Sequence, residues 1–365
     1  MNDENLEKNL EDVYNETNKI NTSAAILNNL EKFENNRPLY SRRWVWELLQ
    51  NARDAKIDRQ QIHIDLTVGA RKLIFKHNGR PFTTNELVHL ICYGSTKGKG
   101  DLGKFGTGFL TTHLLSKKVK VNTFLLRNIN LKKLSFLLDR TADSPEGIKK
   151  LIEKTMTECY ESAKDVEIQT TTTTEYEYEL SDESLDTVKE GIQDLIKNLP
   201  YVLAFNDEFI SINVVDIDTD KSIEFQLLET KKEGSLKHKI IQQKEIGNKP
   251  ILHELWVLED SNNEIEIALK ASRNGDFLNF EAQSNIPRLF LAFPLLDTLD
   301  LPFPVIINSK NFKPQEDRGS IYLGESDTEY NNKNKQLVKK AAELCITLFS
   351  ILDQSIWKNI HLLLY

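Results

Sequence analysis

The sequence predicts an α+β fold in two domains, and three observations carry that expectation. Residues 41–56 place Trp44, Leu48, Leu49 and Ala52 on one side at 3.6-residue spacing, as a buried amphipathic helix requires. Residues 61–79 instead alternate apolar and polar side chains in two short runs, the period of half-buried strands. A chain of 365 residues also exceeds one ordinary core, since domains run to roughly 100–200 residues.

The elements follow in order along the chain. Residues 1–36 are rich in Asn, Glu and Lys, yet Leu6, Leu10, Val13 and Ile20 recur at helical intervals, so a helical arm is expected. After the helix at 41–56, QIHIDLTVG and RKLIFKHNG read as two strands joined at Gly69. TTNELVHLICYG is a helix that opens on a Thr-Thr-x-Glu cap signal. GSTKGKGDLGKFGTGF then leads into an apolar helix at 109–116, and KVKVNTFLLR resumes strand character. A helix is expected at 141–165, with Ser144 as its cap and Pro145 at its first position. TTTTTEYEYEL suits a strand, because threonine and tyrosine favour a pleated surface.

Around Ser181 the character changes, which places a domain boundary near residue 180. The expected organisation is an arm (1–36), a first domain (37–180), an α/β second domain (181–335) and C-terminal helices (336–365). Within the second domain a helix at 184–198 precedes LPYVLAFN and the strand FISINVV, and residues 215–275 alternate like a β-meander. RLFLAFPLL and FPVIINS are apolar strands, and the chain from Asn334 to Tyr365 reads as a long helical ending.

Composition narrows the function classes. Charged residues make up 28% and mean hydropathy is -0.43, the profile of a soluble globular chain. No run approaches the roughly 18–20 apolar residues of a membrane span. The polar, acidic N-terminus has no signal-peptide core, so a cytoplasmic location is expected. Cys92, Cys159 and Cys345 are too scattered for a metal knuckle or a disulfide framework. A net charge of -8 argues against bulk nucleic-acid affinity.

Three segments carry chemistry. In Glu47-Leu-Leu-Gln-Asn51-Ala-Arg-Asp54, positions i, i+4 and i+7 share one helix face, opposite Leu48, Leu49 and Ala52. A carboxylate and an amide one turn apart suit Mg²⁺ bridged to phosphates, and a desolvated Glu47 can activate water. The second segment is His77-Asn78-Gly79-Arg80-Pro81-Phe82 at a strand end, where Gly79 permits close backbone approach. The third is Gly103-Lys104-Phe105-Gly106-Thr107-Gly108-Phe109, glycines ahead of a helix N-terminus, with Ser95, Thr96 and Lys97 nearby. It is not a Walker A loop, because no Gly-Lys-Ser/Thr closes it. Each segment alone also fits a plainer reading: a solvated helix face, a strand-ending turn, a glycine-rich loop.

Their order within 41–116 resembles the GHKL superfamily of Bergerat-fold ATPases, which includes gyrase B, the heat-shock-ninety chaperones, the histidine kinases and MutL. HNGRPFT, GSTKGKGDLGKFGTGF and the later RLFLAFPLLDTLDLPFPVIINSKNFKPQEDRGSIYL look most like its sacsin-type, heat-shock-ninety-like branch. The resemblance implies a Bergerat α/β sandwich followed by a transducer-like α/β domain, with ATP and Mg²⁺ as ligands. Residue by residue, Glu47 matches the catalytic base and Asn51 the Mg²⁺ ligand. Asp54 falls near the adenine pocket or on the helix surface, and Gly79 falls beneath the adenine. Gly103, Gly106 and Gly108, with Lys104, Phe105, Thr107 and Phe109, match the phosphate turn, while Ser95, Thr96 and Lys97 fall in the ATP lid. One departure stands out: the family's adenine-reading Asp is His77 here, followed by Asn78, and an imidazole nitrogen or amide oxygen can also accept a hydrogen bond. Pro81 replaces the turn's second glycine.

A transducer loop is expected to supply positive charge to the γ-phosphate. Arg318 in Gln315-Glu316-Asp317-Arg318 is the candidate, with Lys310 and Lys313 as alternatives and a surface salt bridge as the plainer reading. Asp297 reads as a turn residue, Trp44 as core, His113 as helix packing and Lys117-Lys118 as solvated. The resemblance implies slow ATP hydrolysis driving a dimerising clamp, with the arm exchanged between copies. A protein partner or further effector domain is expected, in a setting such as bacterial antiviral defence. The alternative is a nucleotide-gated interaction module with negligible turnover. No membrane or nucleic-acid partner is indicated.

Overall fold

A computed structural model describes residues 3–57, 61–92 and 108–364. Helix (37%) and strand (32%) are nearly balanced, as an α+β chain requires. The chain forms two compact units, Met1–Gln193 with Val214–Asp220, and Asp194–Asn213 with Lys221–Tyr365.

The first unit opens with α1 (Asp3–Asn35), α2 (Arg37–Tyr40) and α3 (Arg43–Asp54), followed by β1 (Ile62–Gly69) and β2 (Lys72–His77). Then come α4 (Thr84–Cys92), a 3-10 helix (Phe109–Leu114), β3 (Lys118–Arg127), β4 (Asn130–Asp139), α5 (Pro145–Ser162), β5 (Lys164–Val166) and β6 (Thr174–Glu179). These strands run β1-β2-β6-β3-β4-β5, each antiparallel to its neighbour. β6 therefore lies between the hairpin and β3, although it comes last in sequence. Alternation builds the core: β1 hides Ile62, Ile64 and Leu66 while His63 and Asp65 face out.

Two expectations need correction here. The helix at 109–116 is a six-residue 3-10 turn, Phe109–Leu114, in which all six residues are buried. The threonine run is strand only from Thr174; residues 170–173 form the approach to it. β-propensity is realised only where a partner strand exists, and pairing with β2 begins at Thr174 opposite His77.

α3 buries eight of its twelve residues, so it is an interior helix rather than a half-solvated one. Trp44 is fully buried, its indole N–H donates to Thr187 O at 3.1 Å, and Gly191 lies flat against the ring, where a Cβ would collide. α1 contributes Ile26, Leu30 and Phe33 to the core of its own unit, while residues 11–19 are exposed. Ser144 caps α5 by accepting from Gly147 N at 3.2 Å, as expected. Thr155 then fastens α5 to β4 through Leu137 O at 2.7 Å.

The division between units falls within α6 (Leu185–Phe205) and again within β7 (Phe209–Asp216). The helix expected at 184–198 runs on through Pro200 to Phe205. An interior proline costs about 3 kcal/mol. Burial of Tyr201, Val202, Leu203, Ala204 and Phe205 offsets this, because each large apolar side chain contributes about 1.5–3 kcal/mol. In the second unit, β8 (Lys221–Glu233), β9 (Leu236–Glu245), β10 (Ile251–Glu259) and β11 (Glu266–Asn274) form the expected antiparallel meander. β12 (Phe277–Glu281) turns back on β11, and the short β13 (Leu289–Leu291), β14 (Phe293–Pro294) and β15 (Ile306–Asn308) extend the sheet.

The helical ending is also shorter than its periodicity suggests. α7 (Glu329–Ile351), capped by Thr328, stops at Leu352. β16 (Trp357–Lys358) then pairs parallel to β12, and a last 3-10 turn covers Ile360–Leu364. Trp357 packs edge-on against Trp256 at 5.1 Å, and Ile360 and Leu363 are buried, so the apolar ending is covered within its own unit.

Candidate functional site

The site is built on α3, and Glu47 is its most enclosed charge, 7% exposed. Arg43, one turn earlier, forms an ion pair with it at 3.3 Å. The backbone at Gly108 passes so close that a Cβ there would overlap the Glu47 carboxylate. This glycine is needed for close approach, and it brings the entrance of the 3-10 helix onto Glu47. The solvated-face reading therefore fails at Glu47. The expected helix-dipole site also weakens, because six residues of 3-10 helix sum few peptide dipoles.

One turn further, Asn51 and Asp54 line a pocket with Ala55, His77, Arg80, Pro81, Phe82, Glu86 and Tyr176. The two carried-over polar residues of α3 thus face the turn after β2, as their spacing predicts. Gly79 sits against the end of α3: a Cβ would come within 2.8 Å of both Ala55 Cβ and His77 Nδ1. Arg80 N donates to Ala55 O at 2.7 Å, and Phe82 N donates to Phe124 O at 2.8 Å, so both ends of the turn are fastened.

The two base-reading candidates are otherwise engaged. His77 is buried, and its Nδ1 accepts from Gly79 N at 3.1 Å. Burial alone pushes its pKa down to about 4, so the ring is neutral at physiological pH. Asn78 turns away from the pocket: Oδ1 accepts from His63 N at 2.9 Å and Nδ2 donates to Gln61 O at 3.1 Å. Both of the acceptors expected for an adenine amine, His77 Nδ1 and Asn78 Oδ1, thus each accept a backbone N–H in this arrangement.

The wall of the pocket carries an ion pair that sequence reasoning missed. Arg80 donates to both oxygens of Glu86, at 2.8 and 2.6 Å. Glu86 also completes the capping box of α4, accepting from Thr83 N at 2.9 Å while Thr83 Oγ1 accepts from Glu86 N at 3.3 Å. Burial would raise the Glu86 carboxyl, but its hydrogen bonds from Arg80 and Thr83 outweigh that and hold it at about 2. The cap was legible as Thr-Thr-x-Glu; its second use, by Arg80, was not. The cavity volume is about 10 Å³, room for about one water.

Tyr176 on β6 connects the two halves of the site. Its ring lies 5.3 Å from Phe109 and 6.5 Å from His77, and burial pushes its phenol pKa up, so it remains an O–H donor. Thr172 donates to Gly79 O at 3.3 Å, and Thr174 shares a 2.8 Å hydrogen bond with Thr123. His113 is buried, with Nδ1 3.1 Å from Ser116 O, which makes it a packing residue. Ser95, Thr96, Lys97, Gly103, Lys104, Phe105, Gly106 and Thr107 lie outside the described residues.

Asn51 offers an amide oxygen on the pocket wall, while Glu47 is paired with Arg43. No cluster of three His, Cys, Asp or Glu residues is placed to hold a metal among the described residues. Mg²⁺ usually keeps several waters and takes one or two protein oxygens plus substrate phosphate. Asn51 would supply the amide oxygen, and Glu47 would act through water.

In the second unit Arg318 has φ 56, the left-handed region that disfavours side-chain-bearing residues. The turn around it is tied by Arg318 N to Gln315 O at 2.9 Å and by Gly319 N to Asp317 Oδ1 at 3.0 Å. Asp297 is more than a turn residue, since its N donates to Gly319 O at 2.8 Å and its carboxylate fills the space beside Gly319. Lys310 is exposed, and Lys313 uses its backbone to hold Asn334 at 2.8 Å.

No protein-family model matches the chain, and no curated protein matches it at a significant level. Among the described residues, no helix is long and apolar enough to cross a membrane.

Proposed function

We propose that the first unit binds a Mg²⁺–nucleoside triphosphate and hydrolyses it slowly; by resemblance to the GHKL superfamily the nucleotide is ATP. The observation that supports this best is that Asn51 and Asp54 line one pocket with His77 and Tyr176, while Glu47, one turn before Asn51 on the same helix, is enclosed against the glycine at 108. In this reading Glu47 takes a proton from water as it attacks the γ-phosphorus, and the bond to the leaving diphosphate oxygen breaks. Mg²⁺ would neutralise phosphate charge, and Arg318 would add charge from the second unit. Hydrolysis then resets a nucleotide-dependent conformational change. Exchange of the arm between two copies would have to withdraw Ile26, Leu30 and Phe33 from their present core.

A second reading, nucleotide-gated binding without turnover, is favoured by the Arg43–Glu47 ion pair, which already engages the proposed base. Equilibrium binding of Mg²⁺–nucleotide to wild type and Asn51→Ala tests the shared premise. Binding weakened ten-fold or more by Asn51→Ala supports the site; undiminished binding in the variant removes Asn51 from it, and no binding by either removes the function.

A further inference from the structure

A relay of side chains runs from α1 to Glu47. Phe33, near the end of α1, packs on Tyr40 of α2 with ring centroids 4.7 Å apart, and both rings are buried. A second tie joins the same two helices, since Arg37 donates to Glu34 at 2.6 Å. The guanidinium carbon of Arg43 lies over the Tyr40 ring, 5.8 Å from its centroid. Arg43 Nε and Nη2 then donate to Glu47 Oε1 at 3.4 and 3.3 Å. The two side chains of this pair are only 12% and 9% exposed.

Each link constrains the next. The negative face of an aromatic ring attracts a cation, so Tyr40 seats the Arg43 guanidinium. Phe33 holds that ring, and Phe33 shares one face of α1 with the buried Ile26 and Leu30. The far end of the relay covers the carboxylate. Oε1 accepts from Arg43, and Oε2 is the atom that a Cβ at Gly108 would strike first. In this arrangement neither oxygen is turned to a water it could deprotonate.

We infer that Arg43 is a latch on Glu47, and that α1 sets it through Phe33 and Tyr40. The inference rests on reading Glu47 as the base of a nucleoside triphosphatase. While the guanidinium is seated, turnover is held slow. A movement of α1 that withdraws Phe33 unseats Tyr40 and Arg43 and frees the carboxylate. Arg43 acts through Glu47, so it is a positioning residue.

The test is steady-state phosphate release and equilibrium binding, both with Mg²⁺ and ATP, on the full chain and on Arg43→Gln, Arg43→Lys and Tyr40→Leu. Glutamine removes the charge, lysine keeps it, and Tyr40→Leu removes the ring while leaving both members of the ion pair in place. The expected result is release about ten-fold faster in Arg43→Gln, the effect of losing one charged hydrogen-bonded pair. Tyr40→Leu gains about two-fold or more, Arg43→Lys stays near wild type, and ATP affinity is unchanged in all three. The gain disappears when Glu47→Ala is added to Arg43→Gln. A pair that only supports the fold would give no gain in any variant. Release unchanged or slower in Tyr40→Leu and in a folded Arg43→Gln, with ATP still bound, overturns the inference and leaves the nucleotide site standing. A gain that survives Glu47→Ala overturns it too, because the latch then acts elsewhere. If Arg43→Gln does not fold, the rate of Tyr40→Leu decides. Failure of wild type to bind ATP removes the nucleotide reading itself, and the inference with it.

Discussion

His77 shows how one side chain links chemistry to stability. In the unfolded chain it takes up a proton near the ordinary imidazole value of about 6.5. In the folded state burial holds its pKa at about 4. Its contribution to stability is complete above the unfolded value and declines as pH falls from about 6.5 towards 4, since the unfolded state then binds the extra proton. The midpoint of thermal unfolding is expected to drop over that window, and less steeply in His77→Asn; an equally steep drop in the variant would contradict the account. Arg318 makes the reverse case, a residue kept where its backbone is strained. Glycine has no penalty at φ 56. Arg318→Gly is therefore expected to stabilise the chain by about 1 kcal/mol in denaturant titration while lowering turnover. Stabilisation with turnover intact would show that the arginine serves only the turn.

Between elements, the most consequential contact joins the turn after β2 to the first turn of α4. Glu86 caps α4 and holds Arg80 at the pocket wall, two uses with different requirements. Glutamine satisfies a capping box as glutamate does, yet cannot form the ion pair. Glu86→Gln should leave α4 intact and let Arg80 swing out, speeding nucleotide association several-fold in stopped-flow measurements. An unchanged rate would mean that nucleotide enters without moving Arg80.

What was legible in the sequence follows from the range of the interactions involved. α3, the β1–β2 hairpin, the caps at Ser144 and Thr83 and the meander β8–β11 rest on local periodicity or side-chain-to-backbone bonds within a few residues. Those expectations match the structure. Glu47, Asn51 and Asp54 could be placed on one face for the same reason. The rest depends on contacts distant in sequence. The run from Thr170 becomes strand only where β2 offers a partner, α6 survives Pro200 through burial, and the ending after α7 leaves helix to pair with β12. Arg80 and Tyr176 entered the site by the same route, and the tautomer of His77 was set by a backbone N–H that no residue pattern reveals.

For the whole molecule, the two units divide the proposed labour: the first holds Glu47, Asn51 and the pocket, the second holds Arg318. The central claim is that Glu47 is the base of a nucleoside triphosphatase, and its most direct test is steady-state phosphate release with Mg²⁺ and ATP, run on wild type beside Glu47→Ala. The account predicts slow release by wild type, lost by a hundred-fold or more in Glu47→Ala while nucleotide binding persists. Equal release by the two proteins, or none from either despite tight binding, would contradict it.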